Sequence, residues 1–533
     1  MINFFNKIFK KNNKQEHLKE LDSLHLKFFN DIDGYSLDLQ QRIIALNEDK
    51  SLLVVAGAGS GKTLTITAKI KYLIELKKVK PSEILCISFT NEATKSLKNK
   101  LCKYDIDIYT FHKLGLQILD KAKFTYKICS SDFLEYTANE FFYGLILEND
   151  YLIKCVLYYL NIKVNKNYET VYLDNLYTKE FIALKKLIIK FICLFKANAF
   201  DILEFNNFIR RTFSIKEKLF LIITLNVYLI YKNELNSSGL IDFDDMIIKS
   251  TEVVNKKNVK LNYKYVIIDE YQDTSYVRYL LIKSILDNTN SNFVGVGDDF
   301  QSIYRFSGCD LNIFLNFSNF FPQSRILKIE NTYRNSQELI DVCGKFVMKN
   351  KFQLKKKLLS KKNLNKPIVI CYCDNFSSNF ELLINNIKGN IMVLGRNNDD
   401  ILQILNENIE LINEEICYKK AKDIKLNYLT VHKSKGLESD NVIVLNVIDD
   451  KLGFPNKLSD DKILRFVTKG KNKILYEEER RLFYVALTRT KNKVYLLTKK
   501  NKESVFIKEL LMFYKKSIKI IDFDKQKKNI YKM

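Results

Sequence analysis

The stretch VVAGAGSGKT, residues 54–63, constrains the fold of this chain more than any other. A short apolar run at its start predicts a buried strand, and the apolar spacing after it predicts a helix. Its three glycines allow backbone angles closed to other residues, so successive N–H groups can turn inward around a polyphosphate. A glycine-rich turn that binds nothing is the weaker interpretation, because a strand and a helix flank it. The predicted phosphate loop is Ala56, Gly57, Ala58, Gly59, Ser60, Gly61, Lys62 and Thr63.

Two side chains of the loop and a second motif predict its ligand. Lys62 would reach the β- and γ-phosphates of a nucleotide, and the Thr63 hydroxyl would bind Mg²⁺. The stretch KYVIIDEYQDTS, residues 264–275, predicts a buried strand that delivers Asp269 and Glu270 to its end. Beside a phosphate loop, such an aspartate holds Mg²⁺ and the neighbouring carboxylate orients or deprotonates the attacking water. The two motifs together predict nucleotide hydrolysis.

Composition narrows the class of protein and its partners. With 47% hydrophobic and 28% charged residues the chain is globular rather than disordered. Its net charge of +24 favours a nucleic-acid partner. A biased genomic base composition would also enrich lysine and asparagine, so charge alone leaves the partner open. The ten cysteines and four histidines are scattered, which predicts no structural metal. Because neither a signal peptide nor a membrane-spanning stretch is evident, we expect a cytoplasmic protein without a membrane partner.

Changes of sequence character along the chain predict its domains. A stretch poor in Gly and Pro but rich in Phe, Tyr, Leu, Ile and Lys predicts helices inserted into a first α/β domain, and strands and helices alternate again after it. The predicted units are a basic helical lead-in (1–30), the first α/β domain (31–112 and 240–322), the helical insertion (113–239), the second α/β domain (323–520) and a basic tail (521–533).

Further candidates follow other predicted strands, at the edge where open α/β sheets bind ligands. Phe89, Thr90 and Asn91 follow one strand and His112 follows the next, although an isolated histidine is more often structural. Gln41 precedes the phosphate loop, and its amide can both donate to and accept from an adenine edge.

A later stretch, FVGVGDDFQSIYRFSG at residues 293–308, adds three candidates. Gln301 is positioned to sense a γ-phosphate, and bases could stack on Tyr304 and Phe306. Without further context, two core aromatics would be the better interpretation. Arg489 follows a predicted helix, where an arginine of a second domain can reach ATP held by the first.

These stretches occur in the order of the motifs of one family, and together the chain resembles the UvrD/Rep family of superfamily 1 DNA helicases. The RFSG ending of its third motif is similar to the helicase IV branch. The stretches that carry the resemblance are LDLQQRI, AGAGSGKT, SFTNEAT, TFH, DEYQDT, GDDFQSIYRFSG, NTYRNS, TVHKSKGLE and EERRLFYVALTR.

The resemblance implies an α/β fold of two RecA-like P-loop NTPase domains with ATP and Mg²⁺ between them and an α-helical insertion in the first. Glu270 would be the catalytic base, and Thr63 and Asp269 would hold the metal. Gln41 and Tyr333 would hold the adenine and Glu438 the ribose. The implied γ-phosphate contacts are Gln301, Arg334 and Arg489. The implied single-strand contacts are Phe89, Thr90, Asn91, His112, Tyr304, Phe306 and His432.

Four departures from the family pattern qualify these expectations. Leu64 stands where an arginine usually flanks the adenine, Ser307 where an arginine is frequent, and Arg278 where a glutamine often follows DEYQDT. Residues 397–429 occupy the place of a large second-domain insertion, which we expect to be reduced or absent. A protein partner could replace it.

The resemblance implies an ATP-dependent 3′–5′ DNA helicase or single-strand translocase that acts on single-stranded and 3′-tailed duplex DNA, in repair, recombination or replication. The alternatives are a DNA-stimulated ATPase that clears proteins from DNA without unwinding, and a non-catalytic nucleic-acid-binding scaffold.

Overall fold

A computed structural model describes residue 20 and residues 22–165, 167–421, 425–458, 460–468 and 476–523. The predicted lead-in and basic tail lie largely outside these ranges, although residues 22–29 are helical. Among the helices of the described ranges, none is long and apolar enough to cross a membrane.

A first sheet of parallel strands carries the phosphate loop. Its central strands are mostly apolar because helices cover both faces, and every residue of β1 is buried. In the described part of the chain, the strand order is β3-β2-β6-β7-β1-β8. The strands are β1 (Ser51–Ala56), β2 (Ile84–Ser88), β3 (Asp107–Thr110), β6 (Tyr265–Ile268), β7 (Asn292–Gly297) and β8 (Arg325–Ile329); the short strands β4 (Lys127–Ile128) and β5 (Leu240–Ile241) pair with each other.

Helices on both faces of this sheet complete the first domain. They bury two apolar cores, one on each side of β1, whose alternate residues Leu53 and Leu52 face opposite ways. The helices are α1 (Leu39–Leu46), α2 (Lys62–Lys71), α3 (Asn91–Lys100), α4 (Phe111–Lys121), α11 (Phe243–Asn255), α12 (Tyr276–Thr289), α13 (Leu311–Leu315) and α14 (Phe317–Phe320). A π-helical turn, Tyr72–Leu76, continues α2.

A separate group of helices, here the helical body, lies between β4 and β5 in the sequence and has its own apolar core. Residues 460–468, here the docking segment, also contribute to that core although they follow strands of the second sheet. The helices of the body are α5 (Phe133–Tyr143), α6 (Asp150–Tyr159), α7 (Tyr168–Asn175), α8 (Lys179–Ala197), α9 (Ile202–Arg211) and α10 (Ile215–Ser237).

A second sheet forms the rest of the described chain, in the order β11-β12-β13-β10-β14-β15-β9-β16. Its pairs are parallel except that the hairpin β11–β12 adds two antiparallel strands beside β13. The strands are β9 (Ile368–Tyr372), β10 (Ile391–Gly395), β11 (Ile409–Ile412), β12 (Glu415–Tyr418), β13 (Leu426–Thr430), β14 (Asn441–Val444), β15 (Val494–Thr498) and β16 (Ile518–Asp522); the helices are α15 (Gln337–Val347), α16 (Phe376–Ile384), α17 (Glu477–Leu487) and α18 (Val505–Tyr514).

The predicted α/β fold class is confirmed, but two expected domain boundaries differ from the structure. Strand β8, Arg325–Ile329, pairs with β1 in the first sheet rather than opening the second domain at residue 323. The expected insertion boundary at residue 113 falls inside α4, whose Leu114 and Ile118 are buried in the first domain. Residues 397–429 hold the hairpin β11–β12.

Candidate functional site

The phosphate loop joins β1 to α2 in a conformation that its glycines permit. Gly59 and Gly61 have φ values of 70° and 78°, which side chains disfavour. A Cβ on Gly61 would lie 2.7 Å from the Gln41 amide nitrogen, so a side chain at this position would displace the Gln41 amide. The buried Ser60 hydroxyl has no hydrogen-bond partner among the described residues. This backbone, followed by the free N–H groups of the first turn of α2, fits a polyphosphate.

The predicted acidic pair lies opposite the loop lysine. Lys62 Nζ is 3.4 Å from Glu270 Oε1, and Gln272 Nε2 donates to Glu270 Oε2 at 2.6 Å. Glu270 has a left-handed backbone, with φ at 52°. Burial and the neighbouring Glu270 raise the pKa of Asp269. Burial also opposes ionisation of Glu270, but Lys62 and Lys435 outweigh it and lower the pKa of that carboxyl. Hydroxyl and carboxylate oxygens at Thr63 and Asp269 are the donors that Mg²⁺ prefers.

The predicted γ-phosphate contacts from the two sheets meet each other. Arg489 Nη2, after α17, donates to Gln301 Oε1 at 2.9 Å, and Gln301 Nε2 donates to Asp298 Oδ2 at 2.6 Å. Arg489 is fully buried, and this burial, together with nearby Arg334, lowers its pKa to about 9. A bound anion would therefore add charge complementarity to this position.

Lys435 is a site residue that the sequence reasoning missed. Its ammonium pairs with Asp273, donates to the Gln301 carbonyl at 2.8 Å and lies 3.9 Å from Glu270 Oε2. It thereby carries a charge from the second domain into the acidic motif of the first. The sequence signal was the second lysine of HKSKG and the second aspartate of DEYQDT, but only the fold shows that these two side chains meet.

The residues implied for the base and ribose are partly engaged with protein groups. Gln41 accepts from the Asp38 N–H at 3.0 Å and donates to the Ser60 carbonyl at 3.1 Å, so a bidentate contact with adenine would require its amide to reorient. The Tyr333 hydroxyl donates to Asp38 Oδ2 at 2.8 Å while the residue stays 60% exposed. Asp38, also missed from sequence, thus joins the two residues predicted to hold the base.

Glu438, which the resemblance implies as the ribose contact, forms an ion pair with Arg334, which it implies as a γ-phosphate contact. Arg334 Nε donates to Glu438 Oε2 at 2.7 Å, and Lys491 Nζ is 3.2 Å from the other carboxylate oxygen. Burial acts to raise the pKa of Glu438, but the ion pairs with Arg334 and Lys491 outweigh it, so the pKa is lowered. A γ-phosphate would compete with this carboxylate for the Arg334 guanidinium.

Three of the implied strand contacts form one aromatic cluster across the two domains. Phe306 and His432 have ring centroids 5.4 Å apart, and Tyr304 lies 6.0 Å from Phe306 and 6.3 Å from His432. Phe306 is 52% exposed, whereas Tyr304 packs partly against the second-domain core. The exposed ring offers a stacking surface for a base.

The other implied strand contacts lie at the ends of β2 and β3. Phe89 is half-buried, and Thr90 and Asn91 are exposed at the start of α3, where the Thr90 hydroxyl accepts from the Ala93 N–H. His112 packs edge-on against Phe243, with ring centroids 5.2 Å apart.

Arg278 and Phe243 extend this group beyond the sequence prediction. The Arg278 guanidinium lies 5.0 Å from the Phe89 ring centroid and 5.6 Å from that of Phe111. The 50% exposed Phe243 adds another ring. Arg278 reads as a departure in the linear sequence, and only the fold shows its stacking role.

Comparison with known proteins points to one family. Residues 37–322 match the UvrD/REP helicase N-terminal domain, and residues 391–501 match the UvrD-like helicase C-terminal domain. The chain is 29% identical over 454 residues to a probable DNA helicase II homolog of Mycoplasma capricolum, covering 81% of this chain and 57% of that protein.

Two further relatives agree. The chain is 26% identical over 530 residues to DNA helicase IV of Escherichia coli K12, covering 93% of this chain and 73% of that protein. It is 30% identical over 448 residues to ATP-dependent DNA helicase Rep of Buchnera aphidicola subsp. Acyrthosiphon pisum, covering 78% of this chain and 64% of the relative. The chain thus spans from 57% to 73% of the length of these three proteins.

Proposed function

The chain belongs to the UvrD/Rep family of DNA helicases, and from that premise we propose that it hydrolyses ATP to move 3′ to 5′ along single-stranded DNA and to unwind 3′-tailed duplexes. The observation that carries the proposal is the bond of Arg489, after α17, to Gln301 of the first domain. An arginine held there can stabilise charge on a γ-phosphate only when the two domains are together. We propose DNA repair, recombination or replication as its setting and the cytoplasm as its location.

The residues around the phosphate loop would divide the work of hydrolysis. The loop N–H groups and Lys62 would hold the triphosphate, and Thr63 and Asp269 would hold Mg²⁺, which neutralises charge on the phosphates. Glu270 would orient the attacking water and accept its proton. Arg334 and Arg489 would contact the γ-phosphate; arginines in this role contribute about 10³- to 10⁵-fold in rate.

Strand binding would use two aromatic groups. One is the cluster of Tyr304, Phe306 and His432, and the other is the group of Phe89, His112 and Phe243 at the ends of β2 and β3. A base can stack on the exposed Phe306, and the predicted residues at the ends of β2 and β3 would contact the strand further along. Lys435 supports coupling of this track to hydrolysis, because it touches the Gln301 carbonyl and lies 5.0 Å from the Tyr304 ring. Closure of the domains around ATP would then move one aromatic group relative to the other.

The test is steady-state ATPase activity with and without single-stranded DNA, run beside unwinding of a 3′-tailed and a 5′-tailed duplex. Stimulation by DNA with unwinding of only the 3′-tailed duplex is the expected result. Arg489→Ala should abolish turnover while ATP binding persists, and the exposed Lys462→Ala variant is the control. No turnover by the wild-type protein would overturn the proposal and would favour a non-catalytic scaffold.

A second candidate function is an ATPase that clears proteins from DNA without unwinding. The observation that favours it is the hairpin β11–β12, the ordered structure that occupies residues 409–418 in the place of a larger insertion. DNA-stimulated turnover with displacement of a bound protein, but no unwinding, would select this candidate. Unwinding restored by another protein would identify a partner that replaces the insertion.

A further inference from the structure

We infer that Lys356 is a positioning residue for the γ-phosphate contact Gln301, and this inference rests on the proposed ATP hydrolysis. The Lys356 ammonium pairs with Asp298 and lies 2.6 Å from Asp299 Oδ1, and it sits 3.7 Å from the Phe300 ring centroid. The Lys356 side chain is 1% exposed and both carboxylates are fully buried. The implied roles of the family motifs leave this lysine without a function.

The bonds beyond Asp298 fix the orientation of the Gln301 amide. Asp298 Oδ2 accepts from Gln301 Nε2 at 2.6 Å, and Gln301 Oε1 accepts from Arg489 at 2.9 Å. Because a carboxylate can only accept and an arginine can only donate, the amide has one satisfactory orientation. Asp298 must stay in place for that orientation to persist. Lys356 supplies the compensating charge, so its effect reaches Arg489 through two further residues.

The segment around Lys356, residues 353–360, contacts both the loop that carries Asp299 and the phosphate loop. Gln353 Nε2 and the Leu354 N–H donate to Asp299 Oδ2 at 2.7 and 2.8 Å. Leu358 lies so close to Gly57 of the phosphate loop that a Cβ there would be 2.6 Å from its Cδ2 atom.

The same segment also bonds to the turn that carries Tyr333 and Arg334. The Thr332 N–H donates to the Leu359 carbonyl, and the Leu359 N–H donates to the Glu330 carbonyl, both at 2.8 Å. The segment connects α15 to β9 of the second domain, so a movement of that domain relative to the first would shift the segment. Lys356 is therefore placed to transmit domain movement to the γ-phosphate contact.

A buried lysine between two carboxylates could serve stability alone, and the chain offers a matched control for that possibility. Lys196 in α8 is likewise buried, pairs with Asp242 and lies 2.9 Å from Asp245 Oδ1. Its neighbours lie between the helical body and α11, away from the Gln301 chain of bonds. Lys196→Met removes the same type of interaction outside the nucleotide site, although Asp242 caps the helix that begins at Phe243. Its nucleotide affinities, measured without DNA, therefore report the effect of lost stability.

The experiment compares Lys356→Met with Lys196→Met in the full chain. Affinities for ADP and for the non-hydrolysable analogue AMPPNP, each with Mg²⁺, are measured by calorimetry beside DNA-stimulated kcat. For Lys356→Met we expect kcat to fall about 10- to 100-fold, since misplacement by about 1 Å has effects of that size. The preference for AMPPNP over ADP should fall while ADP affinity stays unchanged. Equal behaviour of the two variants would overturn the inference.

A double-mutant cycle tests whether Lys356 acts through Gln301. In a Gln301→Ala background, Lys356→Met should cause little further loss of kcat, because the group that it positions is gone. A full additional loss would overturn the inference. If Lys356→Met does not fold, Asp299→Asn/Lys356→Met, which buries one carboxylate fewer, serves in the same assays. Failure of the proposed function is distinguishable, because it would appear as absent turnover in the wild-type protein.

Discussion

The docking segment, residues 460–468, is held on the helical body by several contacts, among which apolar burial and a surface ion pair can be compared in strength. Ile463, Leu464 and Val467 are buried in the core of the body. On the surface, Arg465 forms two 2.7 Å hydrogen bonds to the Glu217 carboxylate. If apolar burial dominates, Leu464→Ala should release the segment much more readily than Arg465→Ala.

The magnitudes follow from the exposure of each group. Leu464 is 3% exposed, and truncating a buried leucine to alanine costs about 2–5 kcal/mol. A segment that can lift away relaxes more freely than a core, so we take about 2 kcal/mol, which is about a 30-fold change in the docking equilibrium. The Arg465 side chain is 53% exposed, and exposed ion pairs contribute about 0.2–1 kcal/mol. Arg465→Ala should therefore change the equilibrium less than about 5-fold.

Hydrogen–deuterium exchange of the peptide covering residues 460–468 measures the docking equilibrium directly. We expect exchange about 30-fold faster in Leu464→Ala, at most about 5-fold faster in Arg465→Ala, and unchanged in Lys462→Ala, whose side chain is exposed. A larger effect from Arg465→Ala than from Leu464→Ala would refute the reasoning, because it would mean that the ion pair holds the segment.

Four shorter predictions test the site. Lys62→Ala should abolish ATPase activity and leave strand binding intact in fluorescence anisotropy, and equal loss of both would contradict its assigned role. Phe306→Ala should weaken single-strand binding by about 1–3 kcal/mol, as stacking predicts, and unchanged anisotropy would remove it from the track. If about five phosphates are neutralised, affinity should fall roughly a hundredfold between about 50 and 200 mM salt, and a flat response would argue against a basic track. Burial lowers the pKa of His112 and His432 from 6.5 to about 4, with Arg278 near the first and Arg396 near the second. The unfolded chain therefore binds protons at a higher pH than the folded chain, and the free energy of unfolding in urea should fall between about pH 6.5 and 4 by up to about 3 kcal/mol per histidine. His112→Gln should reduce this dependence on pH.

Local patterns were sufficient to predict the elements that carry the site. The apolar run before GSGKT and the one before Asp269 became β1 and β6, because strands covered on both faces need apolar residues throughout. The polar and aromatic residues after these strands lie at the ends of the strands as expected. Such features depend on neighbours in the sequence, which the sequence displays directly.

Features that depend on distant partners could not be predicted. The stretch RILKI reads as a strand, but its alternation does not say which sheet it joins, and β8 lies beside β1. The hairpin β11–β12 turns at Asn413 and Glu414, both with positive φ, without the glycine that usually marks such a turn. Lys356 and Lys435 are two lysines among many, and their importance comes from carboxylates far away in the sequence.

The arrangement of buried charges explains why nucleotide and strand binding should be coupled yet separable. Asp273 accepts from Lys435 through its carboxylate and from Arg278 through its carbonyl, the latter at 3.5 Å. It thus lies between the aromatic group at the ends of β2 and β3 and the Tyr304 cluster. Removing one member of a buried pair leaves an uncompensated charge, so the cleft cannot open here without a new partner or water for Lys435. Lys62 contacts Glu270 rather than Asp273. Its loss should therefore stop hydrolysis and leave the bonds of Asp273 to Lys435 and Arg278, and with them the strand contacts, in place.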